Sequence, residues 1–224
     1  RKESSAASDV YKRQIYVLII HMVIKKKILI LILYFLTSCS SYDENKKINI
    51  EFPQEVNTIN EMYVAYIQID EWEVLNKSRL ENCKNLNLNL NLEKIYKKEV
   101  KKLLKQIFKN IDFYEYKLNL DEIKDKEYHG QIIISQNKAI SDLQINKELA
   151  SLKMNIQSKL LISNFEGKNF TSIIRANGFG SKELFFSCKV HNIIKKTLEE
   201  TYEEFLNTLK NNIYKGLSEV NKKY

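Results

Sequence analysis

The chain predicts an α+β fold. The expected form is a two-layer sandwich, an antiparallel sheet of about four strands with two long helices on one face, in the order β-α-β-β-β-α. Three observations lead there. Two stretches repeat apolar residues every three or four positions, the pattern of a helix with one buried face. Shorter runs alternate apolar and polar residues with period two, the pattern of a half-buried strand. Two helices with single apolar stripes need a shared sheet face to cover, and an antiparallel meander supplies one.

The elements follow in order. Tyr63–Asp70 (YVAYIQID) reads as a strand with Tyr63, Ala65, Ile67 and Ile69 on one side. Asn85–Leu92 (NLNLNLNL) alternates throughout; it suits a low-complexity strand, an edge strand or a lead into the next helix. Glu93–Ile111 reads as a helix: Tyr96, Val100, Leu103, Leu104, Ile107 and Phe108 form the stripe, with lysines opposite. A solvated face is the simplest reading of those lysines, and a membrane-surface role is the alternative. Gln131–Gln136 and Ala139–Ile145 read as one bent or bulged strand. Ser151–Ser163 alternates over its length, Asn164–Asn169 supplies a turn, and Phe170–Asn177 pairs back as a hairpin. A helix from about His191 to Tyr214 closes the pattern, with Ile194, Leu198, Tyr202, Phe205, Leu209 and Ile213 on its stripe.

Composition narrows the class. A chain of 224 residues with 44% hydrophobic residues can build one domain plus appendages. Charged residues at 29% argue against a polytopic membrane protein, and a single proline argues against a proline-rich disordered chain. The three cysteines form no CxxC pair, so neither a zinc site nor a redox dithiol is supported. The formal charge of +8 comes from 36 basic and 28 acidic residues. Seven of those basic and two of those acidic residues precede Cys39, which leaves 29 against 26, an excess of three. That is ordinary solubility charge, and no nucleic-acid partner is expected from it.

Ser4–Gln14 (SSAASDVYKRQ) has no periodicity and resembles translated sequencing-library adapter; residues 1–21 are accordingly read as artefact and upstream sequence, with Met22 as the start. From Met22, Lys25–Lys27 form a basic region, Ile28–Leu36 (ILILILYFL) an apolar core, and Leu36-Thr37-Ser38-Cys39 a small-residue box ending in cysteine. The apolar run is too short to cross about 30 Å of hydrocarbon as a helix. A longer reading from Ile15 is interrupted by three lysines. This stretch resembles the bacterial lipoprotein signal. The resemblance implies removal of residues 22–38, diacylglyceryl attachment at Cys39, and anchoring in the cell envelope. With Ser40 and Ser41 after the cysteine, it implies the outer membrane facing the periplasm.

Residues 39–60 then read as a polar tether, 61–216 as the domain, and 217–224 as a polar tail. LTSC at Leu36–Cys39, KQIFKNI at Lys105–Ile111 and IIRANGFGSKELFF at Ile173–Phe186 carry a looser likeness. In its order of elements the mature chain resembles small envelope lipoproteins of the YajG type, and more distantly the TolB N-terminal domain and the secretion lipoproteins CsgG and PelC. The Asn/Lys-rich insertion before the first helix departs from that plan.

Catalytic chemistry is hard to assemble. His129 and His191 have no ligand or nucleophile at a recognisable spacing. Asn177-Gly178-Phe179-Gly180 lacks dinucleotide-loop spacing, and reads as a turn or bulge needing positive φ. Asp70, Glu71 and Glu73 follow a strand, where acids are usually solvated. Phe179 and Phe185 or Phe186 are candidates for an exposed contact surface. No cofactor and no enzymatic activity are expected.

The leading expectation is therefore a non-catalytic envelope lipoprotein that binds or scaffolds other envelope components, through protein partners or as a homo-oligomer. The alternative is a ligand-binding lipoprotein for lipid or glycan, with a pocket between sheet and helices. Cys83 and Cys188 each precede a helix. If the helices run side by side in one direction, a disulfide between them becomes possible; the other outcome is two unpaired thiols.

Overall fold

The computed structural model describes residues 27, 50, 57–70, 72–78, 91–146, 149–184 and 190–222. Among these, six strands and three helices form one mixed sheet with helices on both sides. The strands are β1 (Ile59–Ile69), β2 (Trp72–Ser78), β3 (Phe108–Tyr114), β4 (Gly130–Ile145), β5 (Leu149–Asn164) and β6 (Asn169–Glu183). The helices are α1 (Leu92–Ile107), α2 (Leu120–Asp125) and α3 (His191–Val220).

The sheet order is β3-β1-β4-β5-β6, with β2 also paired to β4. β1 runs parallel to both neighbours, β3 and β4, and β2 is parallel to β4. Only β4-β5-β6 is an antiparallel meander. The expected all-antiparallel sheet of about four strands is thus corrected to a mixed sheet of six. Parallel pairing needs a crossover, and α1 and the segment carrying α2 provide it.

β1 and β2 share one path along β4. β1 matches Gly130–Gln136 and β2 matches Ala139–Ile145. The break near Asp70 faces the register shift between Gln136 and Lys138. Gln136, fully buried, donates from Nε2 to the Asp70 carbonyl at 3.2 Å. Its amide thereby occupies a backbone acceptor that the ladder leaves open at the bulge. The bent strand expected over 131–145 is this one.

The helix expected through Ile111 ends at Ile107. Phe108 is already extended (φ −112°, ψ 126°) and opens β3 without a loop. Phe108 and Ile111 continue the helical stripe on paper, and no Gly or Pro marks the boundary. Asn91 caps α1 by accepting from the Lys94 N–H at 3.3 Å. The end of the Asn-Leu repeat is therefore a helix start; residues 85–90 lie outside the described residues. α2 was not expected. Its start is a capping box, with Asn119 Oδ1 accepting from the Glu122 N–H (2.9 Å) and Glu122 Oε2 from the Asn119 N–H (2.7 Å).

The main core lies between the sheet and the pair α1 and α3. α1 packs toward β3 and β1, and α3 toward β5 and β6. Tyr63, Tyr96, Phe108, Tyr202 and Phe205 are its largest fully buried side chains. Tyr96 and Ser158 share a buried hydroxyl contact of 2.7 Å, and Tyr202 donates to the Leu92 carbonyl at 3.0 Å. Tyr202 meets Leu92, and Phe205 meets Tyr96. These pairings advance together, so α1 and α3 run in the same sense. α3 extends past Tyr214 to Val220, and Leu217 and Val220 are buried, so the polar tail begins later than expected. Ile50 joins the core and β1 starts at Ile59, both within the stretch read as tether.

A second, smaller core of Val64, Leu118, Ile123 and Tyr128 lies on the opposite sheet face. Gln131 ties the covering segment down. With its amide turned to satisfy both groups, it donates to the Leu118 carbonyl (3.2 Å) and accepts from the Leu118 N–H (2.7 Å). The expected layering, with all helices on one face, is corrected by this third helix.

The GFG segment is not a turn. Gly178, Phe179 and Gly180 lie within β6, and the only glycine with positive φ is Gly167 at +84°, in the β5–β6 turn, among the described residues. Gly178 and Gly180 serve close approach instead. A Cβ on Gly178 would collide with Thr201 Oγ1, and one on Gly180 with Thr197 Oγ1. Two hydrogens let α3 settle directly on the strand.

Candidate functional site: an uncovered sheet face

Strand alternation sends every second residue of β4, β5 and β6 away from α1 and α3. The α2 segment covers the start of this outer face. Beyond it, the register builds three rows across three strands: Lys138–Gln157–Arg175, Ile140–Asn155–Asn177 and Asp142–Lys153–Phe179. All of these residues except Arg175 border a shallow depression of about 560 Å³.

The face is organised by amides. Asn155 Nδ2 donates to Asn177 Oδ1 at 2.7 Å, Arg175 Nε to Gln157 Oε1 at 3.0 Å, and Gln144 Nε2 to Asp142 Oδ2 at 2.9 Å. Phe179 stands 60% exposed at one corner, and Ile173, further along β6, is 53% exposed. Large apolar side chains on an exposed strand cost solvation unless something covers them. The arrangement offers planar amides, both charges and one aromatic face. Those groups suit recognition; they include no paired nucleophile and base.

Other expected positions are dispersed. His129 packs edge-on to Phe165 (6.5 Å between centroids) beside a hollow of about 220 Å³ that Lys124, Glu127 and Tyr128 also line. His191 is the first residue of α3. Asp70 accepts from Gln68 Nε2 at 3.4 Å, and Glu73 is exposed on β2. No cluster of three His, Cys, Asp or Glu residues is placed to hold a metal among the described residues. Cys39, Cys83, Cys188, Glu71, Phe185 and Phe186 lie outside the described residues. Phe179 is thus the expected contact residue that the structure describes.

Sequence reading missed a tyrosine cluster at the sheet end. Tyr128 donates to Asp112 Oδ2 at 2.6 Å and meets Tyr114 edge-on at 6.4 Å. Desolvation, then the neighbouring Asp112 and Tyr114, push the Tyr128 phenol well above its ordinary range. Burial does the same to Tyr96 and Tyr202. These hydroxyls stay neutral; they are not poised as bases. Ser158 is enclosed beneath α1 and out of a substrate's reach.

No family model matches the chain, and no curated protein does. Some solved structures match it at very low identity. A putative neuraminyllactose-binding hemagglutinin homolog from Helicobacter pylori matches with 8% identity and a TM-score of 0.44, over 78% of this chain and 97% of that one. The hypothetical protein CT253 from Chlamydia trachomatis matches with 8% identity and a TM-score of 0.42, over 71% and 99%. A minor lipoprotein from Acinetobacter baumannii matches with 8% identity and a TM-score of 0.36, over 67% and 92%. Likeness at this level assigns no activity. Among the described residues, no helix is long and apolar enough to cross a membrane.

Proposed function

We propose that this chain is a non-catalytic lipoprotein of the bacterial envelope, anchored through acylated Cys39, that binds or scaffolds another envelope component with the outer face of β4-β5-β6. The observation that supports the binding role is the three-strand lattice around Phe179, which the described residues leave open on a face whose other end α2 covers. The leader at residues 22–38 and its box at Leu36–Cys39 support the anchor and an outer-membrane, periplasm-facing location.

A glycan is the second reading. Paired amides beside an exposed aromatic ring, in a shallow depression, suit sugar hydroxyls and a sugar's apolar face. A lipid pocket between sheet and helices has less support, because Tyr96, Phe205, Leu206 and Leu209 fill that layer.

A photo-crosslinking residue at position 179, with a control at Asn207 on α3, tests the assignment in the native envelope. One discrete adduct from position 179 that is absent from the control supports it. Equal or no adducts from the two positions refute the face. For the anchor, Cys39→Ala should abolish labelling by a fatty-acid analogue, and undiminished labelling would sink it.

A further inference from the structure

α1 carries a ridge of like charge. Lys94, Lys97, Lys98, Lys101, Lys102 and Lys105 stand on sixteen residues, against Glu93 and Glu99. Glu99 is buried and meets Lys98 at 3.0 Å, and Lys97 reaches Glu115 at 3.3 Å. Lys101 and Lys105 lie over the Phe113 ring at 5.1 and 5.9 Å. Lysines three and four apart on a helix repel one another. The same chain pairs opposite charges on α3, where Lys195 meets Glu199 and Lys196 meets Glu200. The ridge therefore holds more positive charge than the whole segment after Cys39 has in excess, and it accepts the self-repulsion.

A short covalent path ties the domain that carries it to the anchor. α1 runs into β3 at Phe108, and β3 pairs with the start of β1: Ile59 lies opposite Phe108, and Asn110 Nδ2 donates to the Asn60 carbonyl at 3.1 Å. The end of the ridge thus adjoins the start of β1. Cys39 and the core residue Ile50 are eleven positions apart. Covalent geometry limits that span to about 40 Å. An acylated chain is held within reach of its own bilayer, and the effective concentration of headgroups around the domain is high.

We infer that the α1 ridge rests on the phosphate headgroups of anionic lipid in the bilayer that holds the anchor. This rests on the lipoprotein reading given above. The contact is electrostatic only, because Tyr96, Val100, Leu103, Leu104 and Ile107 are committed to the core and cannot insert. α1 and the amide lattice lie on opposite sides of the sheet. Seating the ridge on the membrane turns the lattice outward, toward whatever it binds.

The test uses the full acylated chain in vesicles of phosphatidylcholine alone, or with phosphatidylglycerol added, and labels lysines with an acetylating reagent read by mass spectrometry. Flotation with the neutral vesicles reports the anchor by itself; a chain that does not float overturns the anchor reading and this inference with it. In a chain that floats, Lys94, Lys98, Lys101 and Lys105 should be protected several-fold by the anionic vesicles. High salt should remove the protection, while Lys153 and Lys159 on the outer face label equally in both. Each ridge lysine reversed, as in Lys98→Glu, should weaken protection of the others by about fivefold or more. Equal labelling of α1 in the two vesicles, or protection of Lys153 instead, overturns the ridge while leaving the anchor intact. Protection by soluble heparin without protection by anionic vesicles would assign the ridge to another polyanion and equally overturn it.

Discussion

Gly178→Ala tests the claim that the glycines of β6 exist for helix contact. The added Cβ collides with Thr201 Oγ1 and stands 3.1 Å from both Thr197 Cγ2 and Thr201 Cβ. Overpacking of a close helix–strand contact costs about 1–3 kcal/mol. Replacing glycine inside a strand returns about 0.5–1 kcal/mol of chain entropy. The clash wins, and the net loss should be about 1–2 kcal/mol. For a domain of this size each kcal/mol lowers Tm by about 2–4 °C. Thr201→Ala removes the colliding oxygen, so the double variant should recover much of the loss, with a coupling of about 1 kcal/mol in a urea-unfolding cycle. A free, flexible turn at GFG predicts a neutral or stabilising Gly178→Ala. Either that result, or additivity of the two changes within about 0.5 kcal/mol, refutes the close-contact account.

Two further outcomes follow from named contacts. Asn164 is buried at the β5–β6 turn; its Oδ1 accepts from the Glu166 and Lys168 N–H groups, and its Nδ2 donates to the Val220 carbonyl at 2.8 Å. Asn164→Ala should cost about 2–3 kcal/mol and speed hydrogen exchange in the last turn of α3, and unchanged exchange there would contradict the tie. Tyr96 and Tyr202 are pushed above their ordinary value of 10 by burial, so the unfolded chain loses phenolic protons that the fold retains. Stability should be full below pH 10 and fall as pH rises past it, with tyrosinate absorbance appearing together with loss of circular dichroism. Ionisation of every tyrosine near pH 10 with the fold intact would refute that burial.

The parts of the fold legible in the sequence are those held by local pattern. Strict alternation located β5 and its hairpin with β6, and the split run 131–145 showed the bulged β4. The apolar stripes located α1 and α3. What stayed hidden depends on partners far away in the chain. Nothing local says that β1 has parallel neighbours on both sides. The shift from α1 to β3 is masked because Phe108 and Ile111 satisfy both periods. GFG looked like a turn because a glycine used for contact and one used for φ are the same letter. α2 did have a signal, the Asn119…Glu122 capping box, which a search for cap spacing would find. Of the candidate site, Phe179 was legible as an exposed aromatic. The rows of amides were not, since they arise only when three registers combine.

The parallel pairing of β1 also sets an order of assembly. A hairpin such as β5–β6 closes through neighbouring residues, whereas Tyr63 meets Gly130 only after α1, β3 and α2 have been accounted for. β1 and β2 cannot complete their ladders until β4 exists, so the first strands of the domain to be synthesised are among the last to find their partners. A chain built this way stays open while it is being made, and closes only once its C-terminal half has arrived.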